Sequence, residues 1–144
     1  MADSRVLGLD YGTKTVGVAV SDPLLLMAQE LETIKRDRPN ALRHTLVRIK
    51  EICEEYNIKK IVLGYPLNMD DTEGFRCEDT IAFKELLQKR IPDIPIILLD
   101  ERLTTMMADD ILEESGVHKK NRKQFIDQIA AAIILQDYLD RKED

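Results

Sequence analysis

Four carboxylates stand where chain segments should hold them at the edge of an apolar core. Asp10 follows the apolar run "RVLGL" and opens the turn "DYGTKT", which carries Lys14. Asp100 and Glu101 follow "IPIILL" and precede Arg102. Asp127 heads an apolar helical stripe, with Ala130, Ala131 and Ile134 at i+3, i+4 and i+7. Carboxylates held close together repel unless one is protonated or a cation sits between them. Hard oxygen ligands of this kind select Mg²⁺ or Mn²⁺. The run "HKKNRK" places Lys119, Lys120, Arg122 and Lys123 directly before the helix that bears Asp127. Acids that hold metal beside bases that hold flanking phosphates suit a polyanionic substrate. Lys14, Arg102, Arg122 and Lys123 are the candidate phosphate contacts.

Each of these residues also has a plainer reading. Strand-end acids cap turns and face water. Asp100 could cap the helix that follows it or pair with Arg102. Asp127 lies in the first turns of its helix, where the macrodipole favours negative charge. Charged loops are ordinarily solvated. Asp127 separates the two readings best, because solvated helical acids have polar neighbours. Asp137, with Arg141 at i+4, is that ordinary case.

The elements that must position these residues follow from hydrophobic periodicity. "RVLGLD" and "KTVGVAV" read as a β-hairpin, and part of "LLLMAQELETIKR" as a third strand of the meander. "PNALRHTLVRIKEICEEYN" reads as a helix, with Leu42, Leu46, Ile49, Cys53 and Tyr56 on one face and Pro39 and Asn40 at its start. "KKIVLGYPL" is a buried strand. A helix is expected from Phe75 to Arg90, with Ile81, Leu86 and Leu87 inward. "IPIILLDE" is another buried strand, and "TTMMADDILEES" and "QFIDQIAAAIILQDYLD" are helices. The order β-β-β-α-β-α-β-α-α implies an α/β fold, a mixed sheet with an antiparallel meander plus parallel strands, flanked by helices. If the strands ending at Asp10 and Asp100 are parallel neighbours, their acids converge at one sheet edge.

The chain has 144 residues, 44% of them hydrophobic, which suits one domain over 1–144 with a sizeable core. Its 21 basic and 27 acidic residues give a net charge of -6. That excludes a protein coated in positive charge for indiscriminate nucleic-acid binding, but not a local basic patch. Cys53 and Cys77 form no C-x-x-C pair, and with 2 His residues a zinc site is not expected. Both are read as reduced thiols. No apolar run reaches the length of a bilayer span and the N-terminus has no signal pattern, so a cytoplasmic protein with no membrane partner is expected. Stacking aromatics near the acids are few: Tyr11, Tyr65 and Phe75.

"DYGTKT" resembles the Asp-x-Gly-Thr turn of the sugar kinase and actin superfamily, which holds ATP phosphates. That superfamily closes two such domains on the nucleotide, and this chain has the length of one. Gly12 and Gly17 have P-loop spacing, but Val18 and Ala19 occupy the positions of its Lys and Ser/Thr. Gly12 reads as a turn residue with positive φ.

Four segments together, "GLDYGTKTVGVAVSD", "VLGYPLNMDDTEG", "DERLTTMMA" and "FIDQIAAAIILQDYL", resemble the motifs of the YqgF/RuvX family over nearly the whole chain. The resemblance implies a ribonuclease H-like fold, related to the Holliday junction resolvase RuvC. It also implies a cytoplasmic nuclease, acting in 5′-end processing of pre-16S ribosomal RNA or on branched DNA. The family's three acids match Asp10, Glu101 (with Asp100 as the fallback) and Asp127, as catalytic residues and ligands of two Mg²⁺ or Mn²⁺ ions. Thr15 replaces a basic residue common in the family, and Asp71 a glycine. Expected partners are nucleic acid, with pre-rRNA favoured, and ribosomal particles, for a monomer or homodimer. The competing classes are a nucleic-acid- or ribosome-binding protein with a silent site, and a nucleotide-dependent phosphotransferase.

Overall fold

The computed structural model describes residues 4–12, 14–38, 41–65, 75–100 and 123–141. Along them run β1 (Arg5–Tyr11), β2 (Thr15–Ser21), β3 (Ala28–Lys35), α1 (Arg43–Glu55), β4 (Ile58–Tyr65), α2 (Phe75–Arg90), β5 (Ile96–Asp100) and α3 (Lys123–Arg141). The helix expected over 104–115 and the basic loop before residue 123 lie outside the described residues.

The strands make one five-stranded sheet in the order β3-β2-β1-β4-β5. β1 pairs antiparallel with β2, and β2 with β3. β1 pairs parallel with β4, and β4 with β5. This is the expected meander plus parallel strands. The strands ending at Asp10 and Asp100 are not neighbours, however. β4 lies between them, and Asp100 pairs with Tyr65.

Side chains alternate between the two faces of an extended strand. On one face Leu7, Leu9, Val16, Val18, Ile61, Leu63 and Ile96 pack with Leu46, Ile49, Ile52 and Cys53 of α1 and Phe83 and Leu87 of α2. On the other, Val6, Ala19 and Val62 pack with Ala131, Ile134, Leu135 and Leu139 of α3. Full burial of a Leu or Ile side chain stabilises by about 1.5–3 kcal/mol. Leu7, Leu9, Ile61 and Leu63 are each 0% exposed, so β1 and β4 are firmly held.

Two helices differ from expectation. α1 starts at Arg43, and Leu42 at its N-cap makes no side-chain capping bond; Pro39 and Asn40 lie outside the described residues. Leu42 and Tyr56 are only partly buried against the core, whereas Leu46, Ile49 and Cys53 are fully inward as expected. In α2, Leu87 is buried, but Ile81 and Leu86 are 37% and 41% exposed. Among the described side chains of α2, Thr80, Phe83 and Leu87 are the buried ones. Thr80 breaks the apolar pattern at the position that fixes the stripe, which is why Ile81 reads as inward from sequence.

Candidate functional site

Asp10 shares its face of β1 with Val6 and Gly8, the face covered by α3. The antiparallel register sets Asp10 opposite Gly17. Residues directly opposite on such strands lie on one face, with side chains about 4.5–5.5 Å apart. Gly17 leaves that place empty, and α3 fills it with its own backbone. A Cβ on Gly17 would overlap the Asp127 carbonyl and stand 3.1 Å from the Asp127 Cα. Further along α3, a Cβ on Gly8 would lie 2.7 Å from the Leu135 Cβ and 2.9 Å from the Ala131 carbonyl oxygen. Two glycines on adjacent strands thus seat the helix against bare sheet. Seated there, the backbone that carries Asp127 lies beside Asp10, and both acids are half-buried.

The far end of α3 is pinned separately. Gln136 Oε1 accepts a hydrogen bond from the Ala28 N–H (2.9 Å), and its Nε2 donates to the Leu26 carbonyl (3.0 Å). With both ends fixed, α3 has little freedom to slide Asp127 away from β1.

Among the described residues, no group of three or more His, Cys, Asp or Glu is placed to hold a metal ion. The described site supplies two of the expected acids. Glu101, Arg102 and Arg122 lie outside the described residues. Lys123 opens α3. Lys14 is exposed in the β1–β2 turn. β5 ends at Asp100, and the preceding Leu99 packs into the cluster under α3.

The β1–β2 turn is held from beneath by a residue that sequence reading does not single out. The Arg36 N–H donates to the Lys14 carbonyl (2.7 Å), and Arg36 Nη2 donates to the Gly12 carbonyl (2.6 Å). Within the turn, the Gly12 N–H donates to the Thr15 carbonyl (2.7 Å). The Arg36 guanidinium lies 4.8 Å over the Tyr11 ring, and Tyr11 stacks on Phe83 at 4.3 Å and 14°. Burial holds the Arg36 pKa below its ordinary value, opposed by Tyr11. Burial likewise raises the Tyr11 hydroxyl, opposed by Arg36 and helped by Asp79. The available signal was alternation, since Ile34 is buried, Lys35 exposed and Arg36 buried again.

Two expectations are corrected here. Gly12 is not in the left-handed region of φ; what limits a side chain there is Thr15, whose Oγ1 would stand 3.2 Å from a Cβ. Tyr11 is no free platform for a nucleobase, because its ring already stacks on Phe83 and carries the Arg36 guanidinium.

A mixed sheet with helices on both faces, its last helix laid across the β1–β3 meander, is the ribonuclease H-like fold class. The chain superposes with a TM-score of 0.56 on "T. thermophilus RuvC in complex with Holliday junction substrate", at 14% identity over 94% of this chain and 93% of that one. The fowlpox virus Holliday junction resolvase gives 0.56 and 14%, covering 96% and 99%. Within that class, the chain belongs to the RuvX family, whose model, described as "Holliday junction resolvase", matches residues 4–141. Its relatives include proteins named "Putative pre-16S rRNA nuclease". The one from Agathobacter rectalis is 55% identical over 136 residues, covering 94% of each chain. The one from Acetivibrio thermocellus is 51% identical over 138 residues, covering 96% of each. No helix of the described residues is long and apolar enough to cross a membrane.

Proposed function

We propose that this protein is a divalent-metal-dependent nuclease that hydrolyses phosphodiester bonds in 5′-end processing of pre-16S ribosomal RNA, in the cytoplasm and on ribosomal particles. The observation that carries the reading is the seat at Gly17, which sets the backbone of Asp127 beside Asp10 on one face of the sheet. A binding module has no use for a half-buried acid packed there. The names of relatives about half identical over nearly the full chain favour the rRNA substrate.

The acids fit Mg²⁺ or Mn²⁺, since every proposed donor is a carboxylate oxygen. Asp10, Glu101 and Asp127 would hold the metal. When bound, it would supply Lewis acidity to the phosphodiester. Glu101 is the third ligand in this reading, with Asp100 as the fallback. Lys14, with Arg102, Arg122 and Lys123, would hold the flanking phosphates. With a net charge of -6, binding depends on these local cations.

The alternative is a DNA endonuclease that resolves Holliday junctions, favoured by the description of the family model. Symmetric cutting of a four-way junction calls for a homodimer, whereas end processing does not.

The test is a cleavage panel with Mg²⁺ or Mn²⁺: a pre-16S leader RNA, single-stranded RNA and DNA, and a four-way junction, each with wild type and Asp10→Asn. Wild type is expected to cut the leader RNA, and Asp10→Asn to bind it without cutting. Equal cutting by the variant would sink the proposal. Cutting confined to the four-way junction would select the alternative.

A further inference from the structure

We infer that Arg36 is a positioning residue for nucleic-acid binding, a clamp that fixes the β1–β2 turn and so fixes where Lys14 meets phosphate. The inference rests on the nuclease reading of the site. Arg36 is 7% exposed, and both its backbone N–H and its Nη2 bond the turn. Its backbone N–H grips the Lys14 carbonyl and its Nη2 grips the Gly12 carbonyl, so one residue holds the turn on both sides of position 13. The Nη2 bond is charge-assisted and correspondingly strong.

The clamp is anchored in the core. The guanidinium plane lies over Tyr11, and Tyr11 is stacked on the buried Phe83 of α2. Phe83, Tyr11, Arg36 and the turn therefore form one packed column at the end of the sheet that bears Asp10. A turn ordered before binding spares the ordering entropy that a loose one would lose on contact with substrate. A planar fork is needed both to lie on the ring and to reach the carbonyl, and lysine has none.

A merely structural arginine would affect stability alone. Arg48 supplies that comparison, with its Nη2 and Nε on Glu32 at 2.7 and 3.0 Å. The experiment measures amide hydrogen exchange and steady-state cleavage of the leader RNA for wild type, Arg36→Ala, Arg36→Lys and Arg48→Ala. In Arg36→Ala the Gly12 amide is expected to exchange at least about 10-fold faster, with Leu7 and Val18 unchanged. KM should rise about 5- to 10-fold while kcat stays within about 2-fold. Arg36→Lys should fall between Arg36→Ala and wild type, and it keeps the test readable if Arg36→Ala does not fold. Arg48→Ala should lower Tm and leave KM unchanged. The inference is overturned if Arg36→Ala matches Arg48→Ala in all readouts, or if Gly12 loses protection while KM holds. If wild type cuts neither the RNAs nor the DNA substrates of the panel, the nuclease reading falls and this role with it. The exchange profile separates that failure from a failure of the clamp.

Discussion

Asp127 is a carboxylate whose following helical neighbours, Ala130, Ala131 and Ile134, are 0%, 0% and 2% exposed. That stripe was legible from residue spacing alone. What spacing could not show is the surface that receives it, because Gly17 acquires its role only through its register with Asp10. Cys53 is a second residue defined by its surroundings. Burial, helped by Glu54, pushes its thiol from 9.0 up to about 12. The unfolded chain therefore releases this proton first. The contribution of the neutral thiol to stability is full below about pH 9 and is lost as pH rises toward 12. In a Cys77→Ser background, Cys53 is expected to resist a disulfide reagent at pH 8 and to react fully in denaturant. Rapid labelling of the native protein would contradict its burial.

The helix α3 is the element on which the site depends. Its seat consists of two glycines at different distances from the acids, and substitution at each should show what the seat does. Overpacking of this kind ordinarily destabilises by about 1–3 kcal/mol. Gly17→Ala pushes directly on the Asp127 backbone, and Gly8→Ala on Ala131 and Leu135, about one and two turns further along. Both should lower Tm by several degrees. Gly17→Ala should in addition reduce kcat at least about 10-fold, since a displacement near 1 Å at a catalytic group can cost about 10²-fold. Gly8→Ala should retain more activity at equal stability. Equal activities in folded samples of both would detach the seat from catalysis. The stripe of α2 shows the limit of pattern reading at this scale. Its existence and extent followed from periodicity, but which apolar residues face inward was settled by the buried Thr80, a polar residue on the core side.

For the whole molecule, the order of elements and the mixed sheet followed from the alternation of strand-like and helix-like segments. The spatial order of the strands did not. Inserting β4 between β1 and β5 is a long-range decision that local periodicity does not record. It moves Asp100, the acid of β5, one strand further from Asp10, and it puts the work of bringing a second acid to Asp10 on α3. The clamp at Arg36 was hidden for a similar reason, since its partners are a turn 24 positions away and an aromatic pair from two other elements. Residues that act as one catalytic unit lose activity non-additively. The direct measurement is the single-turnover cleavage rate of the leader RNA with Mg²⁺ for wild type, Asp10→Asn, Asp127→Asn and the double variant. Each single variant is expected to lose at least about 10³-fold, and the double variant no more than the worse of the two. An Asp127→Asn protein that cuts at the wild-type rate would contradict the shared site.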